Sequence, residues 1–147
     1  MGKEPKISIR AATSDDVERL AYLLYLAGKS HMHISVYKMM FKGSMEHQLE
    51  ILRELLMVRP WFHHSEFLVA DVDGEAAASL CGYSESEKGT PRLGDALMET
   101  GWSSRDIKKV IDRLEPLRRV YPTHPEDVWV LEHAATLEGY RRMGLIS

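Results

Sequence analysis

FLVADVDGEAAASLCG, residues 67–82, places two short apolar runs on either side of an Asp73-Gly74 pair. An Asp-Gly pair in this position is typical of the two-residue turn that joins two antiparallel strands. The alanine run in the second half favours a helix by propensity, but propensity is a weak indicator and the turn outweighs it. We therefore predict a β-hairpin with strands at 67–72 and 75–82.

The segment before this hairpin predicts one strand and a helix. Residues 7–11 alternate between apolar and polar side chains, as a strand does. Thr13 and Asp16 have the spacing of a capping box, so a helix should begin there. Apolar residues then recur at helical spacing as far as Gly28, a residue that commonly ends helices.

A second helix is predicted at about residues 45–58, where leucines form an apolar stripe that stops before Pro60. Residues 29–44 show no clear period. This segment contributes to a methionine-rich cluster, which we interpret as core more readily than as binding surface. The cluster comprises Met32, Met39, Met40 and Met45.

The chain after the hairpin predicts an irregular excursion, a helix and a strand. Residues 83–101 are rich in Gly, Ser, Glu and Pro and are expected to lie outside the core. Ser103 and Asp106 repeat the capping-box spacing and predict a helix that ends before Pro116. Residues 128–136 are apolar on both faces, which is typical of a strand in the centre of its sheet. Together these elements predict a single α/β domain.

The composition of the chain argues against several classes of protein. The 147 residues carry 19 Lys+Arg and 22 Asp+Glu, a formal net charge of −3, which argues against a general nucleic-acid or anionic-membrane binder. The one cysteine, Cys81, excludes a disulfide framework and a cysteine-rich metal site, and we interpret it as a small buried hydrophobe. The first residues lack the apolar stretch of a signal peptide, and no apolar run approaches the length that spans a membrane, so a cytoplasmic location is the expectation.

The final residues of the chain resemble a sequence motif of a known protein family. ATLEGYRRMGL, residues 135–145, resembles the junction between strand and cofactor loop in the GNAT superfamily of acyl-CoA-dependent N-acetyltransferases. The family pattern Gln/Arg-x-x-Gly-x-Gly/Ala corresponds here to Arg141-x-x-Gly144-x-Ile146, and Ile146 departs from it. The first strand with its helix cap and the Asp73-Gly74 hairpin are also similar to the family. The resemblance implies a GNAT-like mixed, mostly antiparallel sheet flanked by helices, occupying residues 1–147.

The resemblance also implies a site for acetyl-CoA as co-substrate. Backbone N–H groups of such a loop bind the pyrophosphate, a glycine lets the backbone approach it, and arginines add charge. The strand before the loop binds the pantetheine arm through free backbone groups. The residues expected to bind the cofactor are Ala135, Thr136, Leu137, Arg141, Arg142, Met143, Gly144, Leu145 and Ile146.

Glu132 resembles the strand-borne carboxylate that serves the family as general base, and a buried carboxylate suits that role near neutral pH. A structural ion pair with Arg or Lys is the alternative. The neighbouring His133 should point to the opposite face of the strand and is interpreted as a core histidine. The segment after the first helix shapes the substrate pocket in the family, so His31, His33 and Tyr37 are candidates for binding the acceptor.

The histidine pairs His31/His33 and His63/His64 lack the spacing and companion ligands of a metal site, so no metal is expected. The resemblance further implies that a helix follows the loop, with Ser147 one or two residues into it, and that more strands come after this helix. We therefore expect either a C-terminal segment that completes the fold or a homodimer.

The function implied is transfer of an acetyl group from acetyl-CoA to a small-molecule or peptide amine by direct attack. The alternative is a non-catalytic interaction module built on a truncated or degenerate form of this fold. The acceptor is not specified by the sequence.

Overall fold

The chain folds as one antiparallel sheet with helices between its strands. The computed structural model describes residues 2–89 and 91–146, so the predicted helix at Ser147 lies outside the described residues. The strands are β1 (Ile7–Ala11), β2 (Phe67–Val72), β3 (Glu75–Ser84) and β4 (Trp129–Thr136), in the order β1-β2-β3-β4. The helices are α1 (Val17–Lys29), α2 (Val36–Phe41), α3 (Met45–Leu55), α4 (Glu85–Lys88), α5 (Leu93–Glu99) and α6 (Ser104–Arg118). The predicted α/β class with a mostly antiparallel sheet is confirmed.

The predicted hairpin forms β2 and β3. Its turn places Asp73 at φ 53° and Gly74 at φ 88°, the left-handed backbone that a two-residue hairpin turn requires. The alanine run is a strand, as the turn predicted, because it pairs with β2 on one side and with β4 on the other.

The predicted cap at Thr13 and Asp16 is also present. The Asp16 carboxylate accepts a hydrogen bond from the Thr13 N–H at 2.8 Å. The same carboxylate lies 2.7 Å from a guanidinium nitrogen of Arg10, whose Nε is 2.6 Å from Asp71. This network ties the beginning of α1 to β1 and β2 and holds the pKa of the Asp16 carboxyl below its usual range, chiefly through the Arg10 hydrogen bond.

Several predicted boundaries were wrong. Gly28 does not end α1, which continues to Lys29; a Cβ at Gly28 would lie 2.6 Å from the Tyr37 ring, so close packing explains this glycine. The helix predicted at 45–58 ends at Leu55. Pro116 lies inside α6, where proline removes only its own N–H from the hydrogen-bond ladder close to the helix end.

Residues 83–101 were wrongly placed outside the core. They contain the end of β3 and the helices α4 and α5, and Ala96 and Leu97 of α5 are fully buried. The methionine interpretation was also wrong for most of the cluster. Met40 is buried, whereas Met32, Met39 and Met45 are about half exposed.

The two faces of the sheet differ. One face packs against α1, which in turn packs against α3, and the core between these elements includes Leu24, Leu52 and Val69. The opposite face leaves Ile9 58%, Leu68 51% and Leu131 65% exposed. Within residues 2–89 and 91–146, β4 is an edge strand and not the central strand predicted, since it pairs with β3 alone.

Of the helices in these ranges, none combines the length and the apolar character that crossing a membrane requires.

Candidate functional site

The candidate site lies on β4, on the face of the sheet that carries the core. Glu132 pairs with Cys81 of β3, and two residues earlier Val130 is buried in the core. Strand alternation therefore directs the Glu132 side chain toward the helices. This side chain is 18% exposed, so the structure places the predicted base in a largely enclosed position next to the core.

A β-bulge interrupts β4 immediately after Glu132. Ser79 pairs with Ala135 and Cys81 with Glu132, so one residue of β3 lies opposite His133 and Ala134. His133 occupies this bulge with φ 56°, an uncommon backbone conformation for a residue other than glycine.

The predicted orientation of the His133 side chain was wrong, and the bulge is the reason. Its side chain does not point to the opposite face, because Nε2 of His133 lies 3.9 Å from Oε2 of Glu132. The extra residue cancels the alternation that the sequence implied. Two adjacent polar side chains therefore project to the same side of the strand.

The facing atoms of these two residues are buried and unsatisfied. Among the described residues, neither Oε2 of Glu132 nor Nε2 of His133 has a hydrogen-bond partner. The other carboxylate oxygen, Oε1, accepts a hydrogen bond from the Tyr121 hydroxyl. An unpaired buried polar atom is costly, so this arrangement is typical of a position that receives a ligand or solvent.

Aromatic rings enclose the pair. The Phe62 ring meets the His133 imidazole edge to face with centroids 4.3 Å apart, and the Trp61 ring lies 6.5 Å away. Phe62 also lies 6.1 Å from the Tyr83 ring. The wall beside the two polar atoms is therefore apolar and aromatic.

Burial changes the protonation of the surrounding groups. Loss of solvent lowers the pKa of His133 to about 4, so its imidazole is neutral at pH 7. Loss of solvent, with a smaller contribution from the negative charge of Glu132, raises the pKa of the other titratable groups near this carboxylate. These groups are Tyr37 of α2, Cys81 and Tyr83 of β3, and Tyr121.

A cleft of about 460 Å³ lies between the end of α1 and β4. It brings together three of the predicted cofactor residues, Ala135, Thr136 and Arg141, with His31, a predicted acceptor residue. His33 is exposed, and Tyr37 is buried against Phe41 and Trp61. Tyr37 therefore lies beneath the site and not on its surface.

The predicted cofactor loop wraps around the end of the sheet. Leu137 donates its N–H to the carbonyl of Ala77 at 2.9 Å. Arg142 and Gly144 both have φ 69°. Leu145 and Ile146 reach the outer face and line a groove with Ile9, Leu68 and Leu80, away from Arg141. Met143 is partly buried.

Three residues of the site were not predicted from the sequence. Trp61 and Phe62 follow Pro60 in the segment before β2, and Tyr121 precedes Pro122 in the connector from α6 to β4. The only local sequence feature that pointed to these residues was the aromatic pair Trp61-Phe62 directly after Pro60. Among the described residues, no group of three or more His, Cys, Asp or Glu side chains is arranged to hold a metal ion.

Comparison with known proteins identifies the fold. No protein-family model and no curated protein matches the sequence. A solved N-acetyltransferase from Staphylococcus aureus Mu50 superposes with a TM-score of 0.65 at 20% identity over 94% of this chain and 69% of its own. A crystal structure of an acetyltransferase gives a TM-score of 0.58 at 21% identity over 93% of this chain and 67% of its own. The chain therefore has the fold of these acetyltransferases.

Proposed function

We propose that this protein is a GNAT-type N-acetyltransferase that transfers an acetyl group from acetyl-CoA to an amine. The observation that carries the proposal is Glu132: on a bulged strand of an acetyltransferase fold, it presents an unpaired and buried carboxylate oxygen. The structural alternative, an ion pair with Arg or Lys, is not favoured, because the carboxylate accepts a hydrogen bond from Tyr121 and, among the described residues, has no ion pair with Arg or Lys.

The residues around the loop fit acetyl-CoA. Leu137 directs its N–H toward β3, so the N–H of the preceding Thr136 points away from the sheet, where it is available to a pantetheine amide. Arg141 and Arg142 are exposed and supply positive charge for phosphate oxygens. Gly144 adopts a left-handed conformation that favours glycine and adds no Cβ beside a ligand. Bound acetyl-CoA supplies an electrophilic thioester carbonyl and a thiolate leaving group.

Glu132 is proposed to prepare the acceptor for attack. A protonated amine has no lone pair, so Oε2 of Glu132 takes one proton from the acceptor nitrogen. The nitrogen then forms the bond to the acetyl carbon as the carbon–sulfur bond breaks, and the thiolate leaves with the bonding electrons. The nitrogen loses a second proton as the amide forms, and the thiolate takes up one proton to leave as the CoA thiol. Tyr121 holds the other carboxylate oxygen and so directs Oε2 into the site.

The outer face of the sheet favours association. Ile9, Leu68 and Leu131 form part of an apolar surface that is more than half exposed. Apolar patches of this kind mark interaction sites. We propose that a second copy of the chain or a further C-terminal segment covers this face, and the interaction-module alternative rests on the same surface.

The function is tested by assaying release of the CoA thiol from acetyl-CoA with a panel of primary amines that includes polyamines, amino acids, aryl-alkyl amines and peptides. Glu132→Gln should lower kcat by about 10²–10⁴-fold without changing the affinity for acetyl-CoA. Glu126→Gln, which changes an exposed carboxylate in the connector just before β4, is the matched control. Equal rates for Glu132→Gln and the unchanged protein would contradict the role of Glu132.

A further inference from the structure

Glu132 and His133 form a pair of polar atoms that face each other without bonding. Their Oε2 and Nε2 atoms are 3.9 Å apart, too far for a hydrogen bond between them. One nitrogen atom placed between the two lies within hydrogen-bond distance of both. Each atom is buried and lacks a partner among the described residues.

We propose that Oε2 of Glu132 and Nε2 of His133 together bind the amino group of the acceptor, and that the acceptor is a primary amine with an apolar substituent and no carboxylate near its amino group. This inference deepens the proposed acetyltransferase function and rests on it. It assigns His133 a contact with the reacting nitrogen, in addition to the carboxylate.

The chemistry of the two groups matches an ammonium ion. A neutral imidazole with its proton on Nδ1 accepts one N–H at Nε2, and the carboxylate accepts a second. The positive charge of the amine offsets the negative charge of Glu132. When one proton passes to Oε2, the imidazole still accepts a hydrogen bond from the neutral amine and holds its nitrogen in place.

The walls of the site determine what the amine carries. Trp61 and Phe62 are buried in the core and their rings lie beside His133, so a substituent that enters this enclosed position with the amine meets an apolar, aromatic interior. The carboxylate of Glu132 repels a second carboxylate placed beside it, and its charge also disfavours ionisation of Tyr83 and Tyr121. Lys88 is already engaged by the Glu66 carboxylate and the Trp61 carbonyl. A carboxylate on the acceptor therefore meets repulsion at this site.

Three small probes separate these requirements. 2-Phenylethylamine has the ammonium and the apolar group, L-phenylalanine adds only a carboxylate, and 2-phenylethanol lacks the ammonium. Each is titrated into the full chain labelled with ¹⁵N-histidine, in the absence of acetyl-CoA. The ring nitrogen signals of His133 are assigned by their loss in His133→Asn, since asparagine tolerates the left-handed backbone at this position.

The expected result is a saturable shift of the His133 ring signals with 2-phenylethylamine, with at least tenfold weaker responses to the other two probes. Glu132→Gln should abolish the shift, and His64→Asn, which removes another histidine with an unpaired buried nitrogen, should retain it. Circular dichroism confirms that each variant is folded.

An unshifted His133 signal at millimolar 2-phenylethylamine, or equal responses to L-phenylalanine, would overturn the inference. Calorimetry with acetyl-CoA on the same sample separates the two proposals. If acetyl-CoA binds but the His133 ring signals do not shift with 2-phenylethylamine, only the paired amine site is overturned. A His133 response without acetyl-CoA binding supports the amine site and contradicts the acetyltransferase function.

Discussion

The hydroxyl of Tyr121 donates a hydrogen bond to Oε1 of Glu132, joining the connector after α6 to the bulged strand β4. This contact occupies one oxygen of the carboxylate and leaves Oε2 facing His133. The orientation of the proposed base therefore depends on a residue from an irregular segment, and the segment between β3 and β4 becomes part of the site.

Replacing Tyr121 should slow catalysis. The Tyr121 hydroxyl holds Oε1 of Glu132 and leaves Oε2 facing His133, so Tyr121→Phe allows the carboxylate to turn away from the acceptor. A hydrogen bond to a charged group contributes about 1.5 kcal/mol, so we expect kcat to fall by about tenfold. The affinity for acetyl-CoA, measured by calorimetry, should not change.

Tyr140→Phe is the matched control, because Tyr140 donates a comparable hydrogen bond to Glu75 at 2.8 Å on the surface. Its kcat should equal that of the unchanged protein. An unchanged kcat in Tyr121→Phe would show that this hydrogen bond does not position the carboxylate.

His63 should make the fold sensitive to acid. Burial lowers its pKa from 6.5 to about 4, so the unfolded chain takes up a proton before the folded chain does as the pH falls. The stabilisation is complete above pH 6.5 and is lost progressively down to about pH 4, by up to about 3 kcal/mol in free energy of unfolding.

Urea unfolding at pH 7, 5.5 and 4.5 measures this effect. His63→Asn keeps an acceptor for the Ser65 N–H, which His63 Nδ1 accepts at 3.2 Å, and removes the titration. The variant should lose less stability between pH 7 and 4.5 than the unchanged protein. Parallel losses in both proteins would contradict the assignment to His63.

The outer face of the sheet should drive self-association of the isolated chain. Light scattering is expected to report a mass above that of a monomer, and Leu68→Lys should reduce it because a charge then interrupts the apolar surface. Met98→Lys makes the same kind of change at a side chain of α5 that is 60% exposed. It should leave the mass unchanged. A monomeric unchanged protein would refute this expectation.

The sequence predicted those parts of the fold that depend on local patterns. The Asp73-Gly74 turn and the Thr13–Asp16 cap each need only a few adjacent residues, and both were found. The helix α5 was missed because it has 7 residues, of which Ala96 and Leu97 are buried, so its apolar period is too short to detect.

The geometry of the site was less accessible to sequence analysis. A bulge normally carries a glycine or a turn signal, whereas here a histidine holds φ 56°, so alternation gave the wrong face for His133. The Tyr121–Glu132 hydrogen bond depends on the path of the connector, for which no sequence period exists. The roles of Glu132 and of the loop residues 141–146 remain predictions.

Acetyl-CoA binding by calorimetry and thermal melting tests the acetyltransferase account most directly. The protein should bind acetyl-CoA, and a concentration of 100 times Kd should stabilise it by about 2.7 kcal/mol. Gly144→Val should abolish this stabilisation because a branched side chain enters the proposed phosphate site. Gly101→Val, at another glycine with positive φ, controls for backbone strain and should still bind. A folded protein that neither binds acetyl-CoA nor melts at a higher temperature with millimolar ligand would contradict the account.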